Sequence, residues 1–310
     1  MISIIIPCFN EEDNVELLYR RLVSVLNSTG MEFELIYIDD GSTDDSLMRM
    51  KNIIEVDNRV KVLEFSRNFG HQSAVFAGLE YADGEAVIMM DADLQHPPEL
   101  IPKLIEKWKQ GFEIVYTVRN DPPEISLFKK TTSKCFYKLI NFLAEIHLPA
   151  NSADFRLFDK KVVLHFRSLT EKSKFLRGLV SWIGFKQCPV SYDAISRMSG
   201  RSKYTLIKMI RFAMDGIISF SAFPLRISTF FGFAVSFISF FYAMYAIYIK
   251  LFTNKALPGW TSVLVSVLFL GGIQLLSLGI IGEYLDRIYK ETKSRPSYIL
   301  RNIYGVWNKK

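Results

Sequence analysis

Two apolar stretches late in the chain, residues 227–249 and 261–281, set the first limit on how it can fold. Each is long enough to cross the hydrocarbon of a bilayer, which takes about 20 apolar residues. A backbone surrounded by lipid must satisfy its own hydrogen bonds, so both are expected as helices. A hairpin buried in a soluble core is the bland alternative, and the flanking charge weighs against it. The connection, residues 250–260, carries only Lys250 and Lys255 as basic groups. Beyond Gly282 come Arg287, Lys290, Lys293, Arg295, Arg301, Lys309 and Lys310. The positive-inside rule then predicts that this tail and everything before the first span lie in the cytoplasm, with the short loop outside. Tyr242, Tyr245 and Tyr248 fit an interfacial aromatic belt. Ser228, Gly232 and Ser236 recur at four-residue spacing and Gln274 sits mid-span, which suits helix packing and a homo-oligomer.

The spans explain a hydrophobic fraction of 49%, high for a soluble protein; residues 1–200 read as an ordinary α/β domain. A formal net charge of +6 next to apolar helices points to anionic lipid headgroups, and no nucleic-acid partner is expected. Cys8, Cys135 and Cys188 are far apart and lack metal spacing, in keeping with a reducing cytosol. The opening MISIIIPCFNEE has no basic n-region, so it is expected as a first strand rather than a signal peptide.

Strand and helix patterns alternate through the first half. Strands are predicted at 2–6, 33–38, 60–65, 86–90 and 112–118, with helices at 13–26 and 71–82 between them. That alternation implies a mostly parallel, right-handed sheet. Asn10 and Glu11, Asp39 and Asp40, Arg67 and Asn68, and Asp91 and Asp93 stand at four consecutive strand ends. Ligands of open α/β sheets bind outside such carboxyl ends. No glycine-rich dinucleotide loop or Walker loop follows any of these strands, which disfavours an ordinary dinucleotide or P-loop enzyme. Asp91 and Asp93 leave the run AVIMM one residue apart and can both reach one cation; hard oxygen ligands suit Mg²⁺ or Mn²⁺ completed by substrate phosphates. Two acids at a solvated strand end are the bland reading. Pro97 and Pro98 are expected to open a helix, with His96 as its cap, and His71 to begin another.

Further on, 126–147 reads as a helix with a lysine-rich face, suited to a membrane surface or to packing on the sheet. Residues 151–157 read as a polar loop, 186–192 as a strand, 196–203 as a small, basic segment that is mobile unless an anion orders it, and 204–220 as an amphipathic interface helix. The expected divisions are a cytoplasmic catalytic domain at 1–200, a juxtamembrane segment at 201–225, a two-helix membrane domain at 226–285 and a basic cytoplasmic tail at 286–310.

The stretches SIIIPCFNEEDNV, IDDGSTDDS, FSRNFGHQSAVFAGL, MMDADLQHPPELIP, SADFRLFDKKVV and SGRSKY, with the paired spans, resemble one known group. It is the inverting GT-A glycosyltransferases of family 2, in the branch that transfers hexoses to polyprenyl phosphates such as bactoprenol or dolichol phosphate. The resemblance covers essentially the whole chain. It implies that Pro7, Phe9 and Glu11, with Asp40, bind the nucleoside of an NDP-sugar, UDP-glucose being favoured. It implies that Asp91 meets the ribose or metal side of the nucleotide, and that Asp91, Asp93 and Gln95 form the divalent-cation site. Arg67 and Asn68 would touch the diphosphate or sugar. Arg119, Lys130 and Ser133 match positions for the lipid phosphate, and Arg201 and Lys203 a mobile anion-binding segment. Lys130 falls where relatives can carry arginine, and a point charge then replaces a bidentate fork.

The chemistry can be argued beside the resemblance. A departing nucleoside diphosphate must be neutralised as the glycosidic bond breaks, by a cation and by fixed positive charge. A lipid phosphate, with a second pKa of about 6, is already an ionised nucleophile at neutral pH and makes a strong base unnecessary. The resemblance places Asp154 near the acceptor, where sugar-accepting relatives would have a base. With no strong base needed, it is expected to orient the acceptor phosphate or sugar hydroxyls, with proton abstraction as its second role. In-line displacement inverts the anomeric centre. A processive polysaccharide synthase is disfavoured, since no QxxRW segment occurs and two spans enclose no polymer channel. A catalytically silent membrane scaffold is the third reading, against which Asp91, Asp93 and Gln95 count.

Overall fold

The computed structural model describes residues 1–120, 152–171, 175–193, 218, 221–252 and 259–307. They divide into two compact units, an α/β unit that includes the carboxyl-terminal segment and a unit containing the two apolar helices.

The α/β unit starts with β1 (Ile2–Cys8), α1 (Glu12–Ser28), β2 (Phe33–Asp39), α2 (Ser46–Val56), β3 (Val60–Phe65), α3 (His71–Tyr81) and β4 (Ala86–Met89). A 3-10 turn at Pro98–Leu100 leads into α4 (Ile101–Lys109), then β5 (Ile114–Asn120). Beyond it lie β6 (Ser152–Asp159), α5 (Lys160–Ser168), α6 (Leu176–Trp182) and β7 (Gln187–Asp193). One sheet of eight strands runs in the order β7-β5-β6-β4-β1-β2-β3-β8, where β8 is Leu300–Tyr304.

β1 and β2 are buried along their whole length, which is why they read as near-continuous apolar runs. The α1 face Val15, Leu18, Leu22 and Leu26 is fully buried against them. Each such side chain contributes on the order of 1.5–3 kcal/mol through burial. At the amino-terminal end of the strands, Lys61 pairs with Glu34 at 2.6 Å, and Ser3 Oγ and the Asp83 amide also donate to Glu34. This buried charged cluster sits at the sheet edge opposite the polar strand ends.

Two expectations are corrected. Residues 152–157 are part of β6, not a loop, and β6 runs antiparallel between β4 and β5. The strand was disguised because Asp154 and Arg156 interrupt its apolar residues, and Phe155, Arg156, Leu157 and Phe158 are all buried. The basic tail contains β8, which pairs antiparallel with β3. The sheet is thus mixed, with β6 and β8 running against the others.

The second unit contains α7 (Phe223–Phe252) and α8 (Trp260–Thr292), both long and apolar enough to cross a membrane. Between Phe223 and Ile249, and between Val265 and Thr292, mean hydropathy reaches 1.8 and 2.1. Tyr242, Tyr245 and Tyr248 are exposed on α7. The predicted helices at 126–147 and 204–220 and the segment 196–203 lie outside the described residues, apart from Ile218.

Candidate active site

Parallel register brings the strand ends to one level. Cys8 stands opposite Asp39, Asp39 opposite Glu64, and Met89 opposite Ile5. The loops after β1 and β2 are stitched together. Asn10, in the left-handed region at φ 56°, donates its amide to Ser42 Oγ and accepts from the Thr43 amide at 2.9 Å. The Glu11 amide reaches Ser46 Oγ at 2.8 Å, and the Asp45 amide reaches Glu12. Phe9 is left 43% exposed at the surface of this pair of loops, whereas Pro7 is a buried strand residue opposite Ile38.

Asp40 ties the second loop to the third. Its carboxylate accepts the Phe69 amide at 2.7 Å and the Gly70 amide at 2.9 Å. Burial raises its pKa, and those amides partly offset the shift. Gly41 has φ +70°, and a Cβ there would lie 2.5 Å from the Arg67 carbonyl carbon. Only glycine permits this approach. Arg67 and Asn68 are exposed at the apex of the third loop, with the Arg67 guanidinium over the Phe69 ring at 4.3 Å.

The fourth strand end carries the acids. Leu94, at φ 59°, closes a turn that few side chains adopt. Asp93 accepts the Gln95 amide at 3.1 Å and the Gln95 side-chain amide on its other oxygen. Asp91 Oδ1 lies 2.7 Å from His71 Nε2, and the Asp91 amide donates to His96 Nδ1 at 3.2 Å. His96 is buried and stacks on Phe155; it makes no helix cap. Burial works to raise the Asp91 carboxyl, but the hydrogen bond from His71 and the His71 charge oppose it, leaving its pKa lowered.

Because β6 runs antiparallel to β4 and pairs Arg156 with Met89, it brings Asp154 to the level of Asp91. There Arg177 grips Asp154 with a two-pronged fork, both contacts at 2.9 Å. Burial again opposes ionisation, and the Arg177 charge and fork, with Arg156 and His71, overcome it. The carboxyl is held well below the usual carboxylate range. Gln72 at the start of α3 accepts the Leu176 amide and so docks the helix that carries Arg177. Arg119, the last but one residue of β5, stands in register with Tyr192 of β7. Burial raises the Tyr192 phenol, Arg119 lowers it, and Asp91 and Asp93 raise it further, which puts Tyr192 in the field of all three.

The structure therefore gathers Asp91, Asp93, Gln95 and Asp154 with His71, His96, Arg177 and Tyr192. The last four were missed or given other roles by sequence reasoning. His71 alone left a signal, a titratable group immediately after the third loop. Lys130, Ser133, Arg201 and Lys203 lie outside the described residues. Among the described residues, no three His, Cys, Asp or Glu side chains form a metal cage. Two carboxylates and an amide fit a hard divalent cation whose other ligands are phosphate oxygens.

A mostly parallel sheet whose polar strand ends carry an Asp-x-Asp turn beside stitched loops is the α/β unit of a GT-A glycosyltransferase. Residues 3–166 match glycosyl transferase family 2, and the chain belongs to that family. It is 46% identical over 308 residues to an uncharacterized glycosyltransferase, YkcC, of Bacillus subtilis, covering 99% of this chain and 95% of that one. It is 41% identical over 301 residues to the bactoprenol glucosyl transferase of Shigella phage SfV, covering 97% and 98%. It is also 39% identical over 302 residues to the prophage bactoprenol glucosyl transferase homolog of Escherichia coli K12, covering 97% and 99%. A solved glucosyl-3-phosphoglycerate synthase from Mycobacterium tuberculosis, in complex with Mn²⁺, UDP and glucosyl-3-phosphoglycerate, aligns at 18% identity with a TM-score of 0.47, covering 72% of this chain and 81% of that one.

Proposed function

We propose that this protein transfers glucose from UDP-glucose to polyprenyl phosphate at the cytoplasmic leaflet, with inversion, to give polyprenyl-phospho-glucose. Relatives named for bactoprenol glucosyl transfer, aligned over nearly the whole length, support the donor sugar and the acceptor. The observation that carries the chemistry is the meeting of the Asp91–Asp93 turn, at the carboxyl end of β4, with Asp154 near the start of the neighbouring β6.

Asp91, Asp93 and Gln95 would hold Mg²⁺ or Mn²⁺, which supplies charge neutralisation for the departing diphosphate. Phe9 and Glu11 would receive the nucleoside, with Asp40 and the buried Pro7 fixing the shape of that loop. Arg67 and Asn68, at the apex of their loop, would meet diphosphate oxygens with fixed positive charge and amide donors. Arg119, Lys130, Ser133, Arg201 and Lys203 would hold the lipid phosphate. Asp154, ionised and gripped by Arg177, is a poor proton acceptor and suits an orienting role. The acceptor phosphate attacks as an anion and needs no base.

Connectivity supports a membrane placement with both ends of the chain on one side. β3 precedes both apolar helices and β8 follows them, yet they share one sheet, so a chain crossing with both helices returns to the side it left. The excess of basic residues beyond Gly282 over the 250–260 connection supports the cytoplasm as that side. Self-association through the helices belongs to the same proposal.

Membranes carrying the protein, given labelled UDP-glucose and polyprenyl phosphate, should yield label in the organic phase. Asp93→Asn should lower that transfer by at least about a hundredfold while leaving membrane insertion intact. Label in an aqueous polymer would point instead to a polysaccharide synthase, and no transfer at all to a scaffold.

A further inference from the structure

The third donor loop is pinned at both ends, and the two pins come from opposite ends of the chain. At its far end, Asp40 holds the amides of Phe69 and Gly70. At its near end, the segment after the second apolar helix takes both backbone polar groups of Ser66. The Ser66 amide donates to the Ile299 carbonyl at 2.9 Å, and Arg301 Nη2 donates to the Ser66 carbonyl at 3.0 Å. The Tyr298 ring stacks on Phe65, centroids 5.0 Å apart and planes within 10°, while its hydroxyl donates to Glu80 at 2.6 Å. Phe65 in turn meets Phe69 edge-on at 5.7 Å. The pairing of β3 with β8 is irregular between Glu64 and Phe65, one step before the loop begins. Such irregularities re-aim the chain that follows them.

The anchor beneath this contact is substantial. Glu64, buried on β3, accepts from Asn302 at 2.9 Å and from the Tyr304 hydroxyl at 2.7 Å. Trp307 meets Tyr81 edge-on and lies under the Lys61 ammonium at 4.8 Å. Gly305, at φ +95°, lets the chain turn with its α-carbon against the Val60 carbonyl, where a Cβ would fall 2.7 Å away. An edge strand needs only backbone pairing to be covered. The side-chain contacts of Tyr298 and Arg301 go further and reach the start of the loop.

We propose that Tyr298 and Arg301 are positioning residues for donor binding: the chain beyond the second apolar helix sets the conformation in which Arg67 and Asn68 meet the diphosphate. The proposal rests on the reading of this loop as part of the nucleotide-sugar site. Losing either contact leaves the chemical groups in place but lets the loop sample other conformations, so apparent donor affinity falls by the fraction of time it is correctly set.

The test uses the full-length protein in detergent with UDP-glucose and polyprenyl phosphate. Tyr298→Ala should raise the donor KM about five- to tenfold, the scale of one aromatic stack. Acceptor KM and kcat should stay within about twofold. Tyr298→Phe keeps the stack and should restore the donor KM. Arg301 is largely exposed and pairs with the buried Glu64 at 3.4 Å. Asn302 and Tyr304 still hold that carboxylate in Arg301→Ala, and this variant should shift the donor KM in the same direction. A merely structural role would lower the amount of active enzyme and leave KM unmoved. Wild-type donor KM in both Tyr298→Ala and Arg301→Ala, in a preparation whose wild type transfers and whose Asp93→Asn does not, overturns this proposal and spares the functional one. A wild type that transfers nothing overturns both.

Discussion

The side chain whose chemistry the structure most redefines is Asp154. In sequence it is an acid among apolar neighbours; in the fold it is one half of a fork with Arg177, next to His71 and Arg156. Its pKa is depressed, so it is ionised throughout the neutral and mildly acidic range. The contribution of the pair to stability is then fully present above the ordinary carboxyl value of about 4, and is lost as pH falls through the depressed value. Activity should carry no limb from Asp154. The acidic limb of kcat/KM in wild type is expected near pH 6, from protonation of the acceptor phosphate. Asp154→Asn should lower kcat/KM while keeping that limb, which a pH series on both proteins would reveal. Loss of the limb in the variant would return Asp154 to the role of a base. Arg177 itself was not legible, because an arginine at the start of a short helix has no local feature linking it to an acid 23 residues earlier.

At the scale of elements, the loops matter more than the strands that carry them. The loops after β1, β2 and β3 are joined by Asn10, Asp40 and the close approach at Gly41 into one preorganised surface, the one proposed to receive the donor. Gly41→Ala tests this directly. The added methyl meets backbone rather than a flexible side chain, and φ +70° strains any other residue. The second and third loops should move apart, raising the donor KM at least about tenfold, an effect that corresponds to roughly 1.4 kcal/mol of lost binding. Steady-state kinetics with varied UDP-glucose would measure it, and an unchanged KM would mean that the surface tolerates slack. The first four strands, all parallel, and their polar ends were readable from periodicity, since buried strands are apolar and their carboxyl ends are not. β6 was not, because its polar residues serve the site while its neighbours serve the core.

For the whole molecule, the return of the chain to its own sheet is the governing fact. β8 covers the β3 edge after two helices of membrane length have intervened. Tags placed before Met1 and after Lys310 should therefore show the same protease protection in sealed vesicles. A cysteine placed at Lys255 should label from the opposite side. Opposite protection of the two tags would exclude a hairpin that crosses twice. What the sequence determined alone was whatever local chemistry records: strand periodicity, apolar length, the Asp91–Asp93 spacing and the family likeness of its motifs. Tertiary structure decided which distant groups meet. The docking of Tyr298 on Phe65 depends on the antiparallel pairing of β8 with β3. The Arg177 fork on Asp154 and the His71 bond to Asp91 depend on where the starts of two helices settle against the strand ends. Periodicity within a segment carries no information about its partner; only the assembled sheet does.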